Sequence, residues 1–403
     1  MEIPMAEGNF KNREIKWLRD VDWLELFYLV LFAAFVIKKY LGTTALEWDV
    51  PVWYDTVVRG ALYAYIIVRT YEQAVIKKKL EYKEIILMAV MLFTGEMMNL
   101  YAQETFVWDT ILFIIAAKGV DFKKICFVYL CIAVSIHAVA LYVVNKGYIP
   151  DYIYDNGGRV RHSLGICYPT DCMAQMLSMF AVYICLRGRR ITFVEITLMF
   201  VSTLKLYFYT YARTDLICIV LLCILCIAVK CLDKFKIYIT QYRLLEIVAL
   251  LIIVLFIACI AATALYDSTN PFWTKLDGVF SQRLSIGKIG YERYGIKLFG
   301  NIVNEYGLGF GNNVASGYYF FLDSSYVRVL VKYGVVFAGV LSGLFIWAFR
   351  KARRCRMDYV IVALIVFLIA AISEQHLFDL IYNPVWLLAF AKIKDDKETR
   401  MKG

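Results

Sequence analysis

The sequence predicts an all-α polytopic membrane protein of about twelve transmembrane helices, and three observations carry that prediction. Hydrophobic residues make up 61% of the 403-residue chain and mean hydropathy is +0.62, more apolar surface than a soluble fold of this size can hide. Many apolar runs approach the roughly 20 residues needed to cross a bilayer. The runs are continuously apolar rather than alternating, which excludes a transmembrane barrel.

In chain order the apolar segments fall at about 22–40, 56–70, 84–99, 105–118, 122–145, 172–187, 191–209, 214–231, 244–265, 325–349, 358–373 and 378–393. The first follows a stretch with charge of both signs and no small-residue cleavage site, so it is expected to be a retained helix rather than a signal peptide. The fourth is short, so a tilted, broken or re-entrant segment, with ten or eleven true spans, is the alternative count. Between the ninth and tenth lies 266–323, a long polar connection too rich in aromatic residues to be disordered. It is expected to roof a site at a membrane surface. The chain shows no internal repeat of the transporter kind and no appended soluble domain.

Charge orients the segments. Of 44 lysines and arginines, 29 fall in one alternating set of connections, 11 in the other and the rest within spans. The positive-inside rule makes the first set cytoplasmic, with both termini, and turns 266–323 outward. This topology accounts for the net charge of +10 without nucleic acid. Most of the eleven cysteines sit in apolar runs and read as small hydrophobes. Cys223-x-x-Cys226 lies in such a run, against a zinc or thioredoxin role. Cys167 and Cys172 lie in a polar outer connection and are the pair open to a disulfide.

The outer positive charges are the ones topology does not require. Gly157-Gly158-Arg159-Val160-Arg161-His162-Ser163-Leu164-Gly165 places Arg159, Arg161 and His162 beside flexible glycines; guanidinium forks match phosphate oxygens, and the alternative is a solvated loop. In Ala212-Arg213-Thr214-Asp215, Arg213 faces a ligand or pairs with Asp215. Lys205 lies about two turns below it, and an ionisable residue at that depth is a functional candidate unless it snorkels. Leu276, Val279, Phe280, Leu284 and Ile289 predict one amphipathic helix over 275–298, with Arg283, Lys288 and Arg293 on its polar side. Gly307-Leu308-Gly309-Phe310-Gly311 reads as a flexible turn. Nearby Tyr306, Phe310, Tyr318, Tyr319, Phe320 and Phe321 fit sugar stacking and an interfacial belt equally. Asp323 either caps the tenth segment or serves as a general base. Arg328 and Lys332 follow on one helical face, as if toward a hydrated or anion-filled cavity. Glu374-Gln375-His376 with Asp379 forms a second acidic and histidine cluster on that side, and His137 reads as a core residue.

Arg161-x-Ser163-x-Gly165-x-x-x-Pro169, Ala212-Arg213-Thr214, Ser281-x-Arg283-Leu284, Phe299-Gly300-Asn301, Leu322-Asp323-Ser324-Ser325-Tyr326 and Tyr333-Gly334-Val335 occur in that order across about 160–335. The ordered set resembles the O-antigen polymerase and O-antigen ligase superfamily. The resemblance implies a C-type, metal-independent membrane glycosyltransferase without a cofactor, acting outside the bacterial cytoplasmic membrane on glycans carried by undecaprenyl diphosphate. It implies diphosphate-binding roles for Arg161, Arg213 and Arg283. Ligases commonly have histidine where Asp323 stands, so the resemblance leans toward the polymerase branch. A chain-length regulator and a flippase of the same pathway are the partners this implies, beside membrane lipid.

The expected function is therefore a polysaccharide polymerase, with Asp323 or else His376 taking the acceptor proton and arginines neutralising the leaving diphosphate. The alternatives are a glycan ligase and a polysaccharide-unit flippase or transporter.

Overall fold

The Asp22 carboxylate accepts the Glu25 N–H at 3.0 Å and starts the first helix, α1 (Trp23–Leu41). The computed structural model describes residues 22–46, 48–155, 158–241, 244–311 and 319–393, without the side chains of 244–249, 251 and 252. The expectations for the basic N-terminal stretch, Gly157, Arg243, Tyr318 and the tail beyond 393 lie outside the described residues. After α1 come α2 (Trp53–Tyr71), α3 (Tyr82–Ala102), α4 (Thr105–Ala116) and α5 (Phe122–Asn145). A hairpin follows, β1 (Ile153–Asp155) paired antiparallel with β2 (Val160–His162), with Tyr154 opposite Arg161. Then come α6 (Pro169–Arg187), α7 (Phe193–Thr210), α8 (Arg213–Lys234) and α9 (Leu244–Leu265). The long connection holds α10 (Pro271–Val279) and α11 (Arg283–Tyr294), and α12 (Ser325–Arg328), α13 (Val335–Arg354) and α14 (Asp358–Ala370) follow.

The fold is an all-α membrane fold. Six described helices, α3, α5, α6, α7, α8 and α13, are long and apolar enough to cross a membrane, and α4, part of α9 and α14 are shorter apolar helices. The twelfth apolar segment is not an α-helix. It runs through turns and a 3-10 stretch, Pro384–Ala389, whose side chains are almost wholly buried. Irregular backbone is tolerated inside a bundle only where its polar groups find partners. Here the helices supply them. Tyr40 and Tyr129 donate to the Ile381 carbonyl. Trp347 Nε1 and Lys351 Nζ reach the Ala389 carbonyl at 3.1 and 3.2 Å, and Lys351 also reaches that of Ala391 at 2.6 Å. Within the segment, Trp386 and Asn383 both donate to the Leu377 carbonyl.

The tenth segment is also interrupted. A wide π turn (Val329–Tyr333) joins α12 to Gly334, and the chain at 299–301 crosses there. Asn301 answers two of the turn's carbonyls: its N–H donates to Lys332 at 3.1 Å and its side chain to Val331 at 2.7 Å. A Cβ on Gly300 would sit 2.1 Å from the Lys332 carbonyl oxygen, and one on Gly334 2.4 Å from the Gly300 nitrogen; both have φ near +90°. The Phe299-Gly300-Asn301 and Tyr333-Gly334-Val335 blocks thus form one backbone crossing.

Connections collect at two ends. At one end, Arg69 holds the Lys118 and Gly119 carbonyls and Glu72, Lys118 pairs with Glu84, and Arg189 lies 3.6 Å from Asp358. At the other, Ala45 bonds Gly165, Arg161 bonds Thr210, Phe310 bonds Cys167, and Ser325 bonds Glu374.

Candidate functional site

The helix expected over 275–298 is broken into α10 and α11 at Phe280–Gln282, where Ser281 and Gln282 take left-handed backbone angles. The buried Asp277 carboxylate explains the restart: it accepts the Leu284 and Ser285 N–H groups at 2.9 and 3.1 Å. The break makes Arg283 the first residue of α11, turned inward. Its guanidinium meets the Ser281 carbonyl at 2.9 Å, the Ser373 carbonyl at 3.3 Å and the Asp323 carboxylate at 3.3 Å.

Around this pair opens a cavity of about 800 Å³. Arg161 enters from β2, held by its bond to the Thr210 carbonyl at 2.8 Å and lying 5.4 Å from the Tyr168 ring. Arg213 enters from the first residue of α8, and Arg159 from the hairpin. Asp323 and His376 close the far wall with Glu374. The N-termini of α6, α8 and α11 also border the cavity, adding their positive dipole ends to the arginines. The glycine turn at 307–311 forms part of the rim and is pinned to the hairpin, since Tyr154 donates to the Leu308 carbonyl and accepts from the Gly311 N–H.

Burial raises the Asp323 carboxyl above the usual aspartate range, although Arg283, Arg328 and His376 oppose the rise. Burial likewise disfavours the Arg283 charge, but Asp323 and Glu374 outweigh it and hold the guanidinium firmly protonated. Glu374 is pushed well above the ordinary glutamate range by burial and by the neighbouring acids, Asp215 first. Chemically, the arrangement can receive an anion between the arginines, with Asp323 and His376 beside it as groups able to accept a proton.

The chain matches no family model, no curated protein and no solved structure.

Six of the sequence-selected residues line this cavity: Arg159, Arg161, Arg213, Arg283, Asp323 and His376. Asp323 does not cap α12; Ser324 holds that position, and the Asp323 carboxylate faces Arg283 and the Tyr319 hydroxyl instead. Arg213 does not pair with Asp215. Arg213 is exposed, whereas Asp215 is wholly buried with neither carboxylate oxygen hydrogen-bonded. Beneath the cavity Asp215 shares a chamber of about 20 Å³ with Glu374 and His376, room for about one water.

The other candidates lie elsewhere. His162 is tied to Asp151 at 2.6 Å, the same carboxylate that accepts the Leu164 N–H and shapes the hairpin exit. Lys205 is exposed on the outer side of α7, because the inward positions of that helix are Thr203, Leu206 and Thr210. Lys288 bonds the Ala264 carbonyl at the end of α9, and Arg293 packs over the Phe320 ring. Arg328 and Lys332 do face an anion, but it is the protein's own: Glu305 meets them at 2.6 and 2.7 Å, and Glu104 meets Lys332 at 2.8 Å. Cys167 and Cys172 are free thiols. The first donates to Asp171 at 3.2 Å, and the second lies 3.6 Å from His137.

Sequence reasoning assigned no role to Glu305 or Asp171. The unbalanced Arg328 and Lys332 were a signal for Glu305. An acid in the first turn of a spanning helix was the signal for Asp171.

Proposed function

We propose that the chain is a polysaccharide polymerase of the bacterial cytoplasmic membrane, acting on the outer face. A glycan on undecaprenyl diphosphate is transferred to the end sugar of an incoming lipid-linked unit, and the carrier diphosphate leaves. One observation carries the reading: Arg159 and Arg161 from the hairpin, Arg213 from α8 and Arg283 from α11 converge on one cavity that also holds Asp323 and His376. Convergent guanidinium groups in a partly desolvated pocket suit a leaving group that gains charge as the glycosidic bond breaks. A volume of about 800 Å³ accommodates a diphosphate with sugars on either side. The positive-inside count supports an outward-facing cavity, because the arginine-lined end is the one poorer in lysine and arginine.

A ligase uses the same donor and differs in its acceptor, so it remains the alternative within the class. The flippase reading is disfavoured by the opposite end of the bundle. There Arg69 is buried against the Lys118 and Gly119 carbonyls, and Lys351 against those of Ala389 and Ala391, so these cations are taken up by the protein's own backbone, and the arginines left to meet a ligand gather at one end rather than at the middle of two repeated halves.

The test is glycan chain length by gel in cells lacking the protein, complemented with wild type, Arg161→Ala, Arg283→Ala or Asp323→Ala at matched membrane abundance. The proposal expects single lipid-linked units to accumulate on the outer face in the deletion and the variants. Units held on the cytoplasmic face would identify a flippase, and long polymer left on its carrier a ligase.

A further inference from the structure

Asp171, in the first turn of α6, is nearly buried, and three donors meet its carboxylate. His376 Nε2 lies 3.0 Å from Oδ1, the Tyr382 hydroxyl donates to the same oxygen at 3.1 Å, and the Cys167 thiol donates to Oδ2 at 3.2 Å. A carboxylate receiving three donors is used as an ionised acceptor. The His376 ring also stacks on the Tyr382 ring, centroids 3.6 Å apart and planes 13° from parallel. One contact fixes the ring's plane and the other its rotation. Committing Nε2–H to Asp171 leaves Nδ1 as the acceptor nitrogen of the neutral ring, and no bond to Nδ1 is made among the described residues. Asp323, the other candidate base, meets Arg283 at 3.3 Å and the Tyr319 hydroxyl at 3.4 Å, both through Oδ2.

We infer that His376 is the general base and that Asp171 is the positioning residue that sets its tautomer, Asp323 serving instead to aim Arg283. The inference rests on the glycosyl-transfer reading above. In the step it assigns, the acceptor O–H bond breaks and its proton goes to His376 Nδ1. The acceptor oxygen bonds the anomeric carbon as the carbon–oxygen bond to the diphosphate breaks, and the diphosphate oxygen keeps that electron pair. The imidazolium so formed is stabilised by the Asp171 carboxylate, and it loses its proton to water before the next turnover. The constellation is a nucleophile's hydroxyl, a base and an acid that orients the base, supplied here with the substrate as the hydroxyl.

The chain has three histidines, so nitrogen NMR of full-length protein labelled with nitrogen-15 histidine, in lipid nanodiscs, resolves each ring. His376 is assigned by the signal lost in His376→Gln. The expected result at neutral pH is a ring protonated at Nε2 and bare at Nδ1, with the proton shifting toward Nδ1 in Asp171→Asn. A wild-type ring protonated at Nδ1, or at both nitrogens, overturns the inference, and this measurement needs no variant of Asp171 to fold. In cells, His376→Gln and Asp171→Asn at matched abundance are expected to lower the number of units joined by about 10²-fold or more. Wild-type chain length from His376→Gln overturns the base assignment while leaving the polymerase reading intact. A deletion strain with unaltered glycans sinks that reading and the catalytic role with it, while the NMR result still judges the Asp171 geometry.

Discussion

Arg283 and Asp323 meet at 3.3 Å across the cavity wall, one from the start of α11 and the other from the residue two before α12. They are 40 positions apart in the chain, and Arg283 follows directly on the break at Phe280–Gln282 that starts α11. The Arg283 fork also holds two backbone carbonyls, so its position is set by geometry as well as by charge.

Arg283→Lys keeps the charge and loses the fork. A lysine ammonium cannot reproduce the contacts to Ser281, Ser373 and Asp323 together. Polymer formation at matched abundance is expected to fall by about 10²–10³-fold, the usual effect of removing one transition-state donor. Chain-length gels with Arg283→Lys beside Arg283→Ala check this, and near-wild-type polymer from the lysine variant would reduce the site's need to bare charge.

Acid should disable the site early. The Asp323 carboxyl is raised by burial, so as pH falls it protonates before an ordinary aspartate does and releases Arg283. The rate of unit joining in proteoliposomes is expected to fall on the acid side with a midpoint above the usual aspartate range. Asp323→Asn should lower the plateau and remove the Asp323 share of that limb, leaving the share that belongs to the general base; an acid limb unchanged in the variant would assign all of it to another group.

Gly300→Ala and Gly334→Ala should each lose folded protein. The left-handed backbone alone costs about 1–3 kcal/mol, and each new methyl would press on the crossing backbone. Thermal unfolding followed by size exclusion in detergent measures the loss. Gly339→Ala on α13, where an added Cβ meets nothing within 4 Å, is the control and should unfold as wild type does.

Glu305→Gln leaves Arg328 and Lys332 buried with too little negative charge. Breaking such an arrangement by removing one partner costs about 3–5 kcal/mol. The expected result is a lower unfolding temperature and less protein in the membrane. Lys205→Ala, on the exposed side of α7, should change neither stability nor glycan length.

Much of the architecture was legible because lipid constrains composition strongly. Continuous apolar runs located the helices from α1 to α9, and α14, to within a few residues. The last apolar segment was misread because apolarity reports burial, not backbone conformation. Tyr382-Asn383-Pro384, with its turn-forming residues, was the local signal against a helix. Individual roles were less legible. Lys332 and Arg328 looked like a ligand site because a buried cation demands an anion, and composition cannot say whether the protein or a ligand supplies it.

The sequence by itself determined the class of solvent this chain meets, the sites of most helices and which charged residues deserved a role beyond solvation. Those properties are local, and hydrophobic length and charge count suffice for them. Tertiary structure alone decided that Arg161, Arg213, Arg283, Asp323 and His376 share one cavity, that Glu305 neutralises Arg328 and Lys332, and that Asp171 holds His376. Each depends on bringing together groups tens to hundreds of residues apart, and only packing, through a helix break at Ser281 and a backbone crossing at Gly300, fixes those distances.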